Sequence, residues 1–177
     1  SAREADMVQR IVNKFEGTGF SPAAAAIWRT LIGASTATEN ALSISVYTPD
    51  GNNDLYWMAR EYFGPFLPVT RHPHVKRVIS DLIDGKASIG IVPHLHGSDT
   101  TYWWTNLLQQ SAGALKIFAH IPFVYYGAQP KDMPAGLAIA RLTPEATEND
   151  VSLLVLEADH NISQNKLQTA FASAKLE

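Results

Sequence analysis

The spacing of hydrophobic positions changes once along this chain, near residue 42, and the change separates a helical opening from an alternating one. Before it, Met7, Val8, Ile11, Val12 and Phe15 recur at the three- and four-residue spacing of a single helix face. Gly17 and Gly19 end that helix. Ser21-Pro22 then restarts the chain as a hydroxyl N-cap followed by proline at the first helical position, where no N–H is needed. The second helix runs through AAAAIWRTLIGASTATEN and sets Ile27, Leu31 and Ala34 on one face. Two antiparallel helices of this size cannot bury both faces by themselves, so they call for another helix, a second subunit, or the domain that follows.

From Leu42 the period shortens. LSISVYT alternates and is β-branched, and TPDGNN reads as a turn. DLYWMAREYFG is helical and closes at Gly64, PFLPVTR is a short strand, PHVKRVISDLIDG is a helix closed by Gly85, and ASIGIVP is a buried strand. DTTYWWTNLLQQSAG predicts a further helix and LKIFAHIPFVYYG a long strand. Past Gly127, GLAIARLT and VSLLVLEA read as strands and NKLQTAFASAKLE as a closing amphipathic helix. The fold class is therefore α/β: two N-terminal helices followed by a mostly parallel sheet built of right-handed βαβ units. The one boundary falls at Glu39–Ala41, dividing the chain into 1–40 and 41–177.

Composition narrows the partners. In 177 residues, 46% are hydrophobic and 18% charged, enough to bury an ordinary core. The net charge is −3 and the lysines and arginines are scattered, with no basic stripe interleaved with aromatics, so nucleic acid is not an expected partner. The absence of cysteine removes disulfides, thiolate zinc sites, iron–sulfur clusters and a thiol nucleophile together, and fits a cytoplasmic setting. No apolar run reaches the roughly 18–20 residues of a membrane span, and the charged, helical start is no signal peptide, so no membrane partner is expected. A start without Met, already inside an amphipathic pattern, suggests a piece of a longer chain.

In open α/β sheets, ligands bind outside the carboxyl ends of the strands. That singles out the loops Thr48–Asn53, Thr70–His74 and Pro93–Thr101. The first and third carry Gly, Asn, Asp, Ser and Thr ahead of a helix, a composition suited to an anion held by backbone N–H groups and equally the ordinary composition of βα loops. Two His-x-His triplets, His72/His74 and His94/His96, fall at this same end. Four imidazoles there would suit zinc, with Asp99 in support, but no metal-binding signature accompanies them and no metal is assigned. Tyr102-Trp103-Trp104 would either stack on a ring-shaped ligand or, as is commoner, pack beneath the next strand.

The order of these segments resembles a known family. In SVYTPDGNNDLYWMAREYFG, a strand, a turn keeping Pro49 and Gly51, and a helix ending Phe-Gly follow the opening of prephenate dehydratase domains, with Asn52 and Asp54 near the family's Thr and Ser/Thr positions. In HVKRVISDLIDGKASIGIVPHLHGSDTTYWWTNLL, Gly90, Val92 and Pro93 match the family's D-x-G-V-V-P-I-E-N-S segment, while Leu95, His96 and Gly97 replace its E-N-S triplet. Upstream, IWRTLIGASTATENALSISVY resembles the junction of bifunctional proteins in which a helical chorismate mutase leads into the dehydratase, and AREADMVQRIV resembles the middle mutase helix. The resemblance covers about residues 2–127.

That resemblance implies a fold of periplasmic-binding-protein-like, prephenate dehydratase type with a shortened second lobe. It also implies roles for particular residues. On the mutase side, Arg3 and Glu4 match an Arg-Glu pair, Ser35 a substrate-contacting serine and Glu39 the Gln/Glu near the ether oxygen. On the dehydratase side, Ser152 matches the Thr of a Thr-Arg-Phe motif, but Leu153 stands where the arginine would grip a carboxylate. Ligand contacts would come from Asn52, Asn53, His96, Ser98, Thr100 and Thr101. No cofactor is implied. The expected partners are a small-molecule aromatic-pathway ligand and, as in helical mutases, a second copy of the chain. Two function classes result: an aromatic amino acid biosynthesis protein whose parent carries chorismate mutase activity with dehydratase activity lost, or a non-catalytic module sensing an aromatic acid such as phenylalanine or prephenate.

Overall fold

A computed structural model describes residues 2–39, 41–94, 103–108, 115–122, 135–145, 151–152 and 164–173. Two compact units emerge, 1–146 and 147–177. In the first, α1 (Ala2–Lys14) and α2 (Ser21–Glu39) form an antiparallel hairpin; the Ser21 hydroxyl donates to the Val12 carbonyl and fixes the turn between them. Next in the chain come β1 (Ile44–Tyr47), α3 (Asp54–Phe63), β2 (Val69–His72), α4 (Val75–Ile83), β3 (Ile89–Pro93), the short α5 (Thr105–Leu108), β4 (Lys116–Ile121) and β5 (Gly136–Ala140). The second unit contributes α6 (Gln164–Ser173).

The five strands form one sheet in the order β2-β1-β3-β5-β4. Val46 lies opposite Arg71 on one side and Ile91 on the other, with both pairings parallel, as the strand–helix–strand order after Leu42 predicts. β5 departs from the mostly parallel expectation. It runs antiparallel between β3 and β4, pairing Leu137 with Val92 and with His120. All five of its residues are buried, and such a strand shows no alternation from which a direction could be read.

The helices cover opposite faces. On one, Leu55 and Ala59 of α3 pack on Ile44, Val46, Ile89, Ile91 and Ala138. On the other, Val75, Val78, Ile79 and Leu82 of α4 pack with Trp103 on Val92, Leu137 and Ile139. Trp103 is thus a core residue, 4% exposed, under the strands that follow it. Gly90 makes the α4 contact possible, since a Cβ there would sit 2.7 Å from the Leu82 Cδ1 methyl.

The face of α2 that meets the body is not the Ile27–Leu31 stripe. Those two residues are 56% and 58% exposed, and Ala25 and Gly33 are buried instead. The reason is closeness of approach: a Cβ on Gly33 would overlap the Phe63 carbonyl oxygen, and the Gly64 backbone lies against the same spot. Small residues let α2 lie directly on the end of α3, leaving its bulkier side outward. The helix expected over 99–113 is seen as a turn at Trp103-Trp104 and α5; its other residues lie outside the described set, as do 123–127 of the long strand and 153–158 of VSLLVLEA. No described helix is long and apolar enough to cross a membrane.

Candidate functional site

The strand order defines where a ligand would sit. From β1 the chain crosses to β2 through α3 on one face; from β2 it crosses back over β1 to β3 through α4 on the other. The winding reverses between β1 and β3, and in open α/β sheets it is at such a point, outside the carboxyl ends of the strands, that a ligand crevice is expected. The loop 48–53 borders it on the β1 side and His94 on the β3 side. The loop is internally braced. Asn52 N–H donates to the Pro49 carbonyl, and Asn52 Oδ1 accepts from the Asp54 N–H at 2.8 Å, an Asx turn leading into α3. Asn52 and Asn53 are both exposed, and Asn53 Oδ1 accepts from the Arg71 guanidinium at 3.4 Å. His96, Ser98, Thr100 and Thr101 lie outside the described residues.

Beside the crevice, the imidazoles of His94 and His120 pack edge to face, their centroids 5.1 Å apart. They reach each other across β5, because Leu137 pairs with both Val92 and His120. Burial lowers the His120 pKa, and the neighbouring His94 adds to this; a hydrogen bond to the Pro122 backbone opposes them without reversing the shift. Of the two His-x-His triplets, His96 lies outside the described residues, and His72 and His94 do not come together. His72 is on β2 and His94 follows the end of β3, with β1 between those two strands, and His72 Nε2 is 2.7 Å from Asp81 Oδ2. Among the described residues, no three His, Asp or Glu side chains group to hold a metal ion.

Asp81 is the hub of a polar cluster that sequence reading did not find. Its Oδ2 accepts from the fully buried Ser45 hydroxyl at 2.9 Å as well as meeting His72, so one carboxylate ties α4 to β1 and β2. Burial favours the neutral carboxyl, but hydrogen bonds from Ser45 and His72, with the charges of His72 and Lys86, outweigh it and hold Asp81 below its ordinary pKa. Serine, histidine and aspartate here do not make a nucleophilic triad. The serine bonds the carboxylate instead of the imidazole and is closed to solvent, so the cluster pins structure. The sequence did carry a signal for it: Ser45 lies between the core residues Ile44 and Val46, and Asp81 adjoins Leu82 on the buried face of α4.

The residues matched to a mutase fall in two places. Glu4, on α1, acts on Tyr62 together with Arg29, whose guanidinium lies 4.0 Å from the centre of the Tyr62 ring and donates to the Tyr62 carbonyl. Burial raises the Tyr62 pKa, Arg29 opposes the rise, and Glu4 adds to it. Ser35 Oγ donates to Glu39 Oε1 at 3.0 Å one turn along α2, both side chains being exposed. Ser35 is six residues beyond Arg29, about 9 Å along the helix. Arg3 lies in α1, its side chain outside the described set; Ser152 is exposed, in irregular backbone of the second unit.

These features define a mixed α/β protein built on an open five-stranded sheet whose winding reverses between β1 and β3. No protein-family model matches the chain. No curated protein matches it either. Among solved structures it is similar to prephenate dehydratase from Streptococcus mutans, at 15% identity over 62% of this chain and 54% of that one, with a TM-score of 0.41. The chain spans about half the length of that protein, and the likeness is too loose to carry function.

Proposed function

We propose that this chain is a non-catalytic binding module for a small aromatic carboxylate, held at the carboxyl ends of β1 and β3. The observation that supports this most is the reversal of winding between those strands, with the polar loop 48–53 on one flank and paired imidazoles on the other. The aromatic acid comes from the motif resemblance to prephenate dehydratases through Pro49, Gly51, Gly90, Val92 and Pro93. Dehydration of prephenate requires a group to protonate the departing hydroxyl and a cation to hold a carboxylate, and Leu153 in place of the motif's arginine argues against that chemistry. Chorismate mutase activity has less support in this chain. A rearrangement without covalent catalysis needs polar groups converging in a water-poor pocket, whereas Glu4 is exposed on α1, and Ser35 and Glu39 bond each other in solvent on α2. A homodimer belongs to the same reading, and sedimentation at micromolar concentration measures it.

Thermal-shift titration with phenylalanine, tyrosine, prephenate and chorismate, run beside an assay for phenylpyruvate, tests the proposal. At a hundredfold excess over Kd, a bound ligand adds about 2.7 kcal/mol, a rise in Tm of roughly 5–10 °C for a protein of this size. The expected result is such a rise with at least one aromatic acid and no phenylpyruvate formed. Phenylpyruvate production, or no rise with any of the four, contradicts it.

A further inference from the structure

We infer that Arg71 supplies the cation that grips the ligand's carboxylate, and that the exposed Trp57, which like Arg71 neighbours the Tyr56 ring, offers a ring face. This rests on the proposed binding role of the loop 48–53 and names the chemistry that the loop lacks. Two guanidiniums flank the Tyr56 ring, and they are differently employed. Arg60 is spent on structure: it donates to the Pro65 and Leu67 carbonyls at 2.7 and 3.0 Å and to the Tyr56 hydroxyl. Arg71 lies 5.0 Å from the Tyr56 ring centre and, among the described residues, makes one long hydrogen bond, to Asn53 at the end of the loop. It is exposed and pairs with no carboxylate among the described residues.

The surroundings favour an anion. From residue 65 to 77 the sequence holds Arg71, Lys76 and Arg77 and no acid, within a chain of net charge −3. Asp50 and Asp54 sit on and after the loop, but neither closes on Arg71. The cation–π contact with Tyr56 restricts the guanidinium before any ligand arrives, so less side-chain freedom is lost when a bidentate pair forms. Trp57 is 65% exposed and its ring meets Tyr56 at a centroid distance of 5.0 Å. Tyr56 therefore carries a guanidinium and a second aromatic ring as immediate neighbours, the two groups that an aryl carboxylate requires.

The test is calorimetric titration of 3-phenylpropionate and its uncharged amide into wild type, Arg71→Gln and Arg71→Lys, with NMR of the arginine Nε–H signals in wild type. Arg71 is exposed, so the variants are expected to melt with the parent. Wild type should prefer the acid over the amide by tenfold or more, and the Arg71 Nε–H signal should shift saturably with the acid. Arg71→Gln should erase the preference, with Arg71→Lys intermediate because it keeps the charge and loses the fork. If the acid binds, and shifts the amides of the loop 48–53 without moving Arg71 Nε–H or losing affinity in Arg71→Gln, the loop site stands and the role of Arg71 falls. If the acid does not bind to wild type at all, both fall.

Discussion

The Ser45–Asp81 contact is the most quantifiable claim about what holds this sheet to its helices. Ser45 is fully buried, and its hydroxyl donates to a carboxylate that also meets His72. Asp81→Ala removes the acceptor and leaves a buried donor unsatisfied, a penalty of about 1–3 kcal/mol. It also removes the bond to His72, which counts for less because those side chains keep 23% and 16% of their surface in solvent. The sum is about 3 kcal/mol, or roughly 6–12 °C in Tm at this chain length. Ser45→Ala leaves Asp81 with His72 and water, and costs about 1 kcal/mol. The double variant has no stranded hydroxyl and should lose only about 2 kcal/mol, giving a coupling near 2 kcal/mol between the two sites. Urea titrations of the four proteins, followed by tryptophan fluorescence, measure each value. If the double loss equals the sum of the single losses within about 0.5 kcal/mol, the two side chains are not partners in solution and the argument fails.

The same structure predicts further outcomes. Gly33→Ala should destabilise by about 1–2 kcal/mol despite its better helix propensity, because the new Cβ overlaps the Phe63 carbonyl and pushes α2 off α3; thermal melting reads it, and an unchanged Tm would contradict the contact. Leu31→Gln should move Tm by no more than about 0.5 kcal/mol equivalent, since that side chain is already in solvent; a large loss would place it in the core after all. The depressed Asp81 pKa means the folded state binds its proton less readily than the unfolded state. Its contribution is complete above the unfolded value of about 4 and is lost as pH falls through the folded pKa; Asp81→Asn should flatten the stability profile below pH ~4. His120 is likewise depressed, so unfolded chains take up its proton first and stability falls as pH drops below about 6.5; His120→Gln should remove that slope in urea midpoints measured from about pH 7.5 downward.

Much of the sheet was legible because its first three strands are punctuated. Gly64 and Gly85 close α3 and α4, both with positive φ, and β-branched alternation marks the strands between them. The antiparallel β5 was not legible in direction, since Gly136–Ala140 is buried throughout and carries neither alternation nor a hairpin turn to fix its sense. Which face of α2 meets the body was not legible either, for a physical reason. Periodicity reports which side chains share a face, but Gly33 decided which face could approach another backbone. At the candidate site, the loop 48–53 could be found from turn chemistry, whereas the His94–His120 contact joins strands that only the insertion of β5 brings near. Asp81 and Ser45 are 36 residues apart, and their meeting depends on α4 crossing over β1.

A titration of isotopically labelled protein with phenylalanine, followed by amide NMR, addresses the crevice most directly. Binding there predicts saturable shifts at Thr48–Asn53 and His94 on the two flanks, with the amides of α2 unmoved. Shifts confined to the α1–α2 hairpin, or spectra that stay unchanged with phenylalanine and with prephenate alike, would contradict a ligand site between β1 and β3.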